Sequence, residues 1–243
     1  MFAPHERHWW RWAPVLFAQG IYARLRAGRP APAAGAQGRV GSGPALRLAG
    51  LGDSIIAGVG VSHQSEGLTG QVARRLAGAG AEVAWNAIGV SGATAESVLA
   101  ELLPRAVEWE PEFVVLSVGV NDVVRGTDPS AFKEQLRAVV DGLTATRRSP
   151  AIVFGGIPPL ESFPALPRPL STLLGERGRR LQQRAVDLVG YRGLRVVSFP
   201  PALSREAFAR DGFHPRAEGC AAWAGWVADG FALRLAECLD RPA

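Results

Sequence analysis

Five short, largely apolar runs alternate with segments of helical spacing, and this alternation constrains the chain more than any other feature. Residues 46–51 run straight into Gly52, and 82–88, 113–118, 151–154 and 194–199 read likewise, with 113–118 strongly β-branched. Runs of this length bounded by turn residues are buried strands. Between them, 68–79 carries Leu68, Val72 and Leu76 on one helical face, and 93–103 reads as a helix that Pro104 helps to end. Pro129 opens a further helix behind an Asp128 cap, running towards Thr146, and 173–189 and 216–239 complete the set. Strands alternating with helices predict an α/β fold with a central five-stranded parallel sheet and helices on both faces. Ligands of such open sheets bind at the carboxyl ends of the strands. A catalytic residue should therefore fall just after a strand.

Upstream, the composition changes. Residues 1–27 form a Trp/Arg-rich segment, and 28–44 have the Gly, Pro and Ala content of a linker. The main domain is expected over 45–240. In the apolar stretch 9–25, Arg11, Gln19 and Arg24 interrupt the run, which is too short for the ~20 apolar residues of a membrane span. Pro14, Gln19 and Gly20 make it a poor signal peptide. It fits packing on the parent domain or on a second copy, then contact with a membrane surface, and secretion least. The net charge is +5, but the arginine pairs at 74–75, 147–148 and 179–180 fall on expected helices or their ends and read as solvated faces. No nucleic-acid-reading module is present in the sequence, and no nucleic-acid partner is expected. On one unbroken helix Cys220 and Cys238 would lie roughly 27 Å apart, beyond the ~7 Å a disulfide allows, unless the helix breaks near Gly225 or Gly230. Unbridged buried thiols fit a reducing compartment. A cytoplasmic protein is expected, with a membrane-peripheral one as the variant.

Four motifs pass the strand-end test. The first is Gly-Asp-Ser at 52–54, after the first strand, where glycine allows a tight turn and Ser54 emerges at the strand end. A serine hydroxyl needs a base to become a nucleophile; alone, this serine could equally cap a helix. The second is Asn-x-x-x-x-Ser-Gly at 86–92, a loop whose glycines can turn N–H groups towards a ligand or simply make a turn. The third is Gly-x-Asn-Asp at 119–122, where the Asn121 amide could donate to a developing oxyanion or form an Asx-turn. The fourth is Asp-x-x-His at 211–214, where the carboxylate could hold the Nδ1 proton of the imidazole. His5 and His8 lie in the N-terminal segment, leaving His63 and His214 as bases, with His63 either at the rim of the site or on the surface.

These four motifs, in this order, resemble the GDSL/SGNH hydrolase family. The resemblance implies a three-layer α/β/α sandwich, flavodoxin-like in its sheet, and hydrolysis of carboxylic esters. It implies that Ser54 attacks the acyl carbonyl, that His214 is the general base and then the acid, and that Asp211 orients His214. The Ser54 N–H, the Gly92 N–H and the Asn121 amide would form the oxyanion hole, with Gly89 competing with Gly92. No cofactor or metal is implied. Ile55 stands where the family name has leucine, a variable position.

Other readings are weaker. A dinucleotide site would need a third glycine where Ile55 stands, and Asp53 would face a pyrophosphate. A catalytically silent binding member of the fold would be expected to have lost a catalytic residue. The loop 157–167, rich in proline and apolar residues, follows the fourth strand and would wall an acyl pocket. The expected substrate is therefore a small-molecule or lipid-like acyl ester of short-to-medium chain. A thioester, a lysophospholipid or an O-acetylated carbohydrate is the alternative on the same site.

Overall fold

The computed structural model describes residues 4–28, 31–199 and 204–240. Residues 1–3 of the expected N-terminal segment, 29–30 of the expected linker and 200–203 of the expected domain lie outside the described residues. Among the described residues six strands form one sheet: β1 (Gln37–Gly41), β2 (Ala45–Gly52), β3 (Glu82–Gly89), β4 (Phe113–Ser117), β5 (Ala151–Phe154) and β6 (Arg195–Val196). Their order is β1-β3-β2-β4-β5-β6. Neighbours from β3 to β6 pair in parallel, whereas β1 runs antiparallel to β3. Without β1 the order is that of a flavodoxin-like sheet.

The expected five-stranded parallel sheet is thus six-stranded and mixed. The strand absent from the expectation lies inside the 28–44 segment. Val40 is its only large apolar residue, so its glycines read as linker. They serve close packing instead: a Cβ on Gly38 would come within 2.4 Å of the Trp85 indole, and one on Gly41 within 2.3 Å of the Ala81 carbonyl. At the other edge, the expected strand 194–199 pairs only over Arg195–Val196. A Cβ on Gly156 would lie 2.5 Å from the Val197 carbonyl, and Phe199 turns away to meet Trp223 edge-on at 4.7 Å.

Helices cover both faces, as strands buried on two sides require. They are α1 (Ala13–Ala27), α2 (Leu68–Gly78), α3 (Ala95–Ser97), α4 (Leu103–Glu108), α5 (Val120–Arg125), α6 (Pro129–Thr144), α7 (Leu170–Val186), α8 (Ala217–Asp229) and α9 (Ala232–Leu239). Alternate strand residues face opposite layers. Leu48, Phe113 and Val115 pack with α2, α8 and α9, while Leu51, Val114 and Leu116 pack with α6 and α7. Asp128 caps α6 as expected, accepting from Ser130 N at 2.8 Å and Ala131 N at 3.1 Å.

Two helices depart from expectation. The run 93–103 begins at α3, passes through a π turn over Val98–Leu102 and resumes as α4. Pro104 lies in the first turn of α4, where its missing N–H is not needed, rather than ending the helix. The closing helix breaks at Gly230 and Phe231, between α8 and α9. Gly230 backs onto Val153, 2.9 Å from where a Cβ would be, and Phe231 is buried edge-on against Phe113 at 5.3 Å. Cys220 and Cys238 are consequently on different helices; both are buried, and neither is in a disulfide.

The N-terminal segment packs on its own domain. Gln19 on α1 donates to the Arg168 carbonyl at 2.6 Å and accepts from Leu170 N at 3.0 Å. Ahead of α1, Trp9 donates to Glu176 at 3.2 Å, and Glu6 accepts two bonds from Arg177 at 2.7 and 2.8 Å. Among the described residues no helix is long and apolar enough to cross a membrane.

Candidate active site

The site begins where β2 stops. Gly52 has φ +153°, and a Cβ there would sit 1.8 Å from the Ser117 carbonyl of β4, so only glycine lets the chain turn out of the sheet at this point. Asp53 N bonds that same carbonyl at 3.0 Å, and a tight turn follows, with Ala57 N on Asp53 O at 2.9 Å and Val59 N on Ser54 O at 3.0 Å. Ser54 leads this turn at the carboxyl edge of the sheet. Its turn packs against Gly89 at the end of β3, where a Cβ would lie 2.3 Å from Ala57 N. Gly89 is therefore a spacer beneath the serine.

His214 arrives from the opposite side, on the loop between β6 and α8. Backbone bonds from Ala209 N to His214 O at 2.7 Å and from Arg216 N to Ala207 O at 2.8 Å pin this loop. His214 Nε2 lies 3.0 Å from Ser54 Oγ, and its Nδ1 lies 2.6 Å from Asp211 Oδ2. The second carboxylate oxygen, Asp211 Oδ1, accepts from Phe213 N at 2.8 Å and His214 N at 3.1 Å. Burial pushes the Asp211 carboxyl up, but hydrogen bonds from the His214 ring and from these two N–H groups outweigh it and hold it below the usual carboxylate range. A fixed anion on Nδ1 keeps the lone pair of Nε2 towards the serine.

Asn121 sits in the first turn of α5, just after β4. Its amide donates to the Ala93 carbonyl at 3.0 Å, which leaves the second hydrogen of the amide available. Gly92 adopts φ +87° in the preceding loop, and Arg125 donates to its carbonyl at 3.2 Å. Ser54, Asn121 and His214 line one cavity; Gly92 lies on the adjoining loop, outside its lining. His63 is elsewhere: it bonds Ser65 Oγ at 2.9 Å, and its ring packs under Gly35.

Two buried carboxylates support the loops. Asp53 accepts from Ile55 N at 3.0 Å, and Asp122 accepts from Ala95 N at 3.1 Å and Thr127 Oγ1 at 3.2 Å. Burial is the main cause raising both; Asp53 is pushed up to about 7, with the nearby Asp122 adding to the shift while the Ile55 N–H and His214 oppose it. Both belong to the motifs at 52–54 and 119–122, but their supporting role appears only once their burial and backbone partners are known.

The cavity measures about 660 Å³ and is mostly apolar. Pro158, Phe163 and Leu166 of the expected loop line it, as do Leu173 and Leu174 of α7. Ile157 and Pro159 instead line a smaller neighbouring pocket. The wall that sequence reasoning missed is α1, which contributes Leu16, Phe17 and Ile21. The apolar character of that segment was visible, but nothing in it revealed which surface it would meet. Among the described residues no group of three or more His, Cys, Asp or Glu could hold a metal ion.

A serine, histidine and aspartate in hydrogen-bonded series at the carboxyl edge of a doubly wound sheet define a serine-hydrolase type of site. The chain belongs to the GDSL-like lipase/acylhydrolase family, whose model matches residues 51–222, and it is a hydrolase acting on esters. Solved structures share the fold. The family 3 carbohydrate esterase of Clostridium thermocellum is 15% identical over 79% of this chain and 98% of its own, with a TM-score of 0.63. A lipase from a goat rumen metagenome is 17% identical over 78% and 99%, with a TM-score of 0.62. The psychrotrophic esterase EstA from Pseudoalteromonas sp. is 21% identical over 79% and 99%, with a TM-score of 0.57. No curated protein matches the chain.

Proposed function

We propose that the chain cleaves lipid-like or short-to-medium acyl esters through an acyl intermediate on Ser54. The observation that carries this is the Ser54–His214–Asp211 series, at 3.0 and 2.6 Å, opening into an apolar cavity of about 660 Å³. Ser54 Oγ attacks the acyl carbonyl as His214 Nε2 takes its proton, and Asp211 stabilises the imidazolium through Nδ1. The carbonyl oxygen becomes an oxyanion held by the N–H groups of Ser54 and Gly92 and by the remaining hydrogen of the Asn121 amide. As the tetrahedral adduct collapses, His214 gives its proton to the leaving alcohol and the acyl group stays on Ser54. Water then attacks the acyl-serine with His214 again as base, releasing the acid and restoring the hydroxyl.

The cavity lining favours an acyl chain over a sugar. Phe163, Leu166, Leu173 and Leu174 bring no hydrogen-bonding side chain to a carbohydrate's hydroxyls. The test is a chain-length series of p-nitrophenyl esters with matched thioesters. Specificity, as kcat/KM, should rise from acetyl to medium chains, at up to ~0.8 kcal/mol per buried methylene. Activity confined to acetyl esters would rule out the acyl pocket, and a strong preference for thioesters would reassign the acyl donor.

A further inference from the structure

Seven of the thirteen large apolar side chains exposed among the described residues lie between Trp10 and Leu25. They include Trp10 at 67%, Phe17 at 72% and Leu25 at 76% exposure, although α1 is held firmly to the domain by Gln19. Its inner side supplies Leu16 to the core and to the cavity that opens on Ser54, while its outer side is also apolar. Apart from Arg24 and Arg26 in its last turn, α1 is largely apolar on both sides; a helix of that kind is normally covered all round, and here its outer side is exposed.

The charges on the segment indicate what covers it. Glu6 is the only acid before residue 53, and it is buried against Arg177. Arg11, Arg24 and Arg26 are exposed. Two copies stacked on this surface would bring these guanidiniums together. An anionic bilayer would pair with them, and tryptophan and arginine around an apolar face suit a headgroup interface.

We infer that α1 and the preceding Trp/Arg turn form a docking surface for anionic lipid, which sets the mouth of the acyl cavity at the bilayer. The inference rests on the acyl-ester reading only for the chemistry it delivers; the docking itself is independent of Ser54. Arg24 and Phe17 belong to both surfaces: each is exposed, and each lines the cavity. An acyl chain leaving the bilayer along α1 would therefore stay in apolar contact as far as the serine.

Flotation of the full chain with phosphatidylglycerol/phosphatidylcholine vesicles tests this directly. The chain should float with the anionic vesicles, less with phosphatidylcholine alone, and less in high salt. A Trp10→Ala, Trp12→Ala, Leu25→Ala variant removes exposed groups that do not line the cavity; it should bind at least roughly tenfold more weakly. Arg11→Glu with Arg26→Glu should lose about fivefold or more per arginine. Both variants should hydrolyse a soluble short-chain ester at the parent rate, and Ser54→Ala should float like the parent. Failure of the parent to float, or undiminished flotation of the triple variant, would overturn the inference. So would a stable dimer in light scattering that the triple variant dissolves. A parent chain that floats but hydrolyses no ester would instead refute the reading of the Ser54 site.

Discussion

Exchanging Asp211 for asparagine isolates what the carboxylate does. Asp211 Oδ1 accepts two backbone N–H bonds, at 2.8 and 3.1 Å, and an asparagine oxygen can keep both. The amide NH2 must then occupy the place of Oδ2, 2.6 Å from His214 Nδ1. An amide nitrogen only donates, so Nδ1 must accept and the ring carries its proton on Nε2. That proton then points at Ser54 Oγ, 3.0 Å away, and the base is blocked while the fold is left intact. The loss expected for a wrong tautomer in a serine triad is ~10⁴ in kcat, or about 5 kcal/mol of transition-state stabilisation. KM should change little, because the acyl cavity does not depend on Asp211. The assay is steady-state turnover of a p-nitrophenyl ester with a thermal melt of both proteins. A folded Asp211→Asn protein within tenfold of the parent kcat would refute the tautomer argument.

Two further outcomes follow from the same site. If Asn121 is an oxyanion donor as proposed, Asn121→Ala should lower kcat by about 10²–10³ with KM nearly unchanged; a change confined to KM would make Asn121 a substrate-binding residue instead. Asp53 is pushed up to about 7 by burial, so the folded protein holds its proton more tightly than the unfolded chain. That contribution to stability is complete below the ordinary carboxylate value of 3.8 and is lost as pH rises through about 7. Asp53→Asn cannot ionise, so its stability relative to the parent should rise between pH 4 and pH 8, by at most about 4 kcal/mol. Melting curves at both ends check it, and a pH-independent difference would contradict it.

Much of this arrangement was legible in the sequence because it depends on local signals. Gly52 must be glycine to pass Ser117, and Asp211 reaches His214 within one loop. Asp128 with Pro129 marks a helix start that the structure keeps. What was not legible depends on partners distant in sequence. Gly38 and Gly41 look like linker until Trp85 and Ala81 are seen against them. The break at Gly230 follows from Val153 and Phe113, which pack against that corner from other elements. The role of α1 as a cavity wall depends on where Gln19 finds the carbonyl of Arg168, 149 residues away in the chain.

Whether Ser54 carries the acyl group is decided by treating the protein with an activated alkyl phosphonate ester, then measuring intact mass and mapping peptides. A serine activated by His214 should attack the phosphorus of such a reagent as it would an acyl carbonyl, displacing the leaving group. One phosphonyl group per chain is expected, on Ser54, with activity lost in proportion and no adduct in Ser54→Ala or His214→Ala. Modification of a different residue with loss of activity, or full labelling of Ser54→Ala, would contradict it.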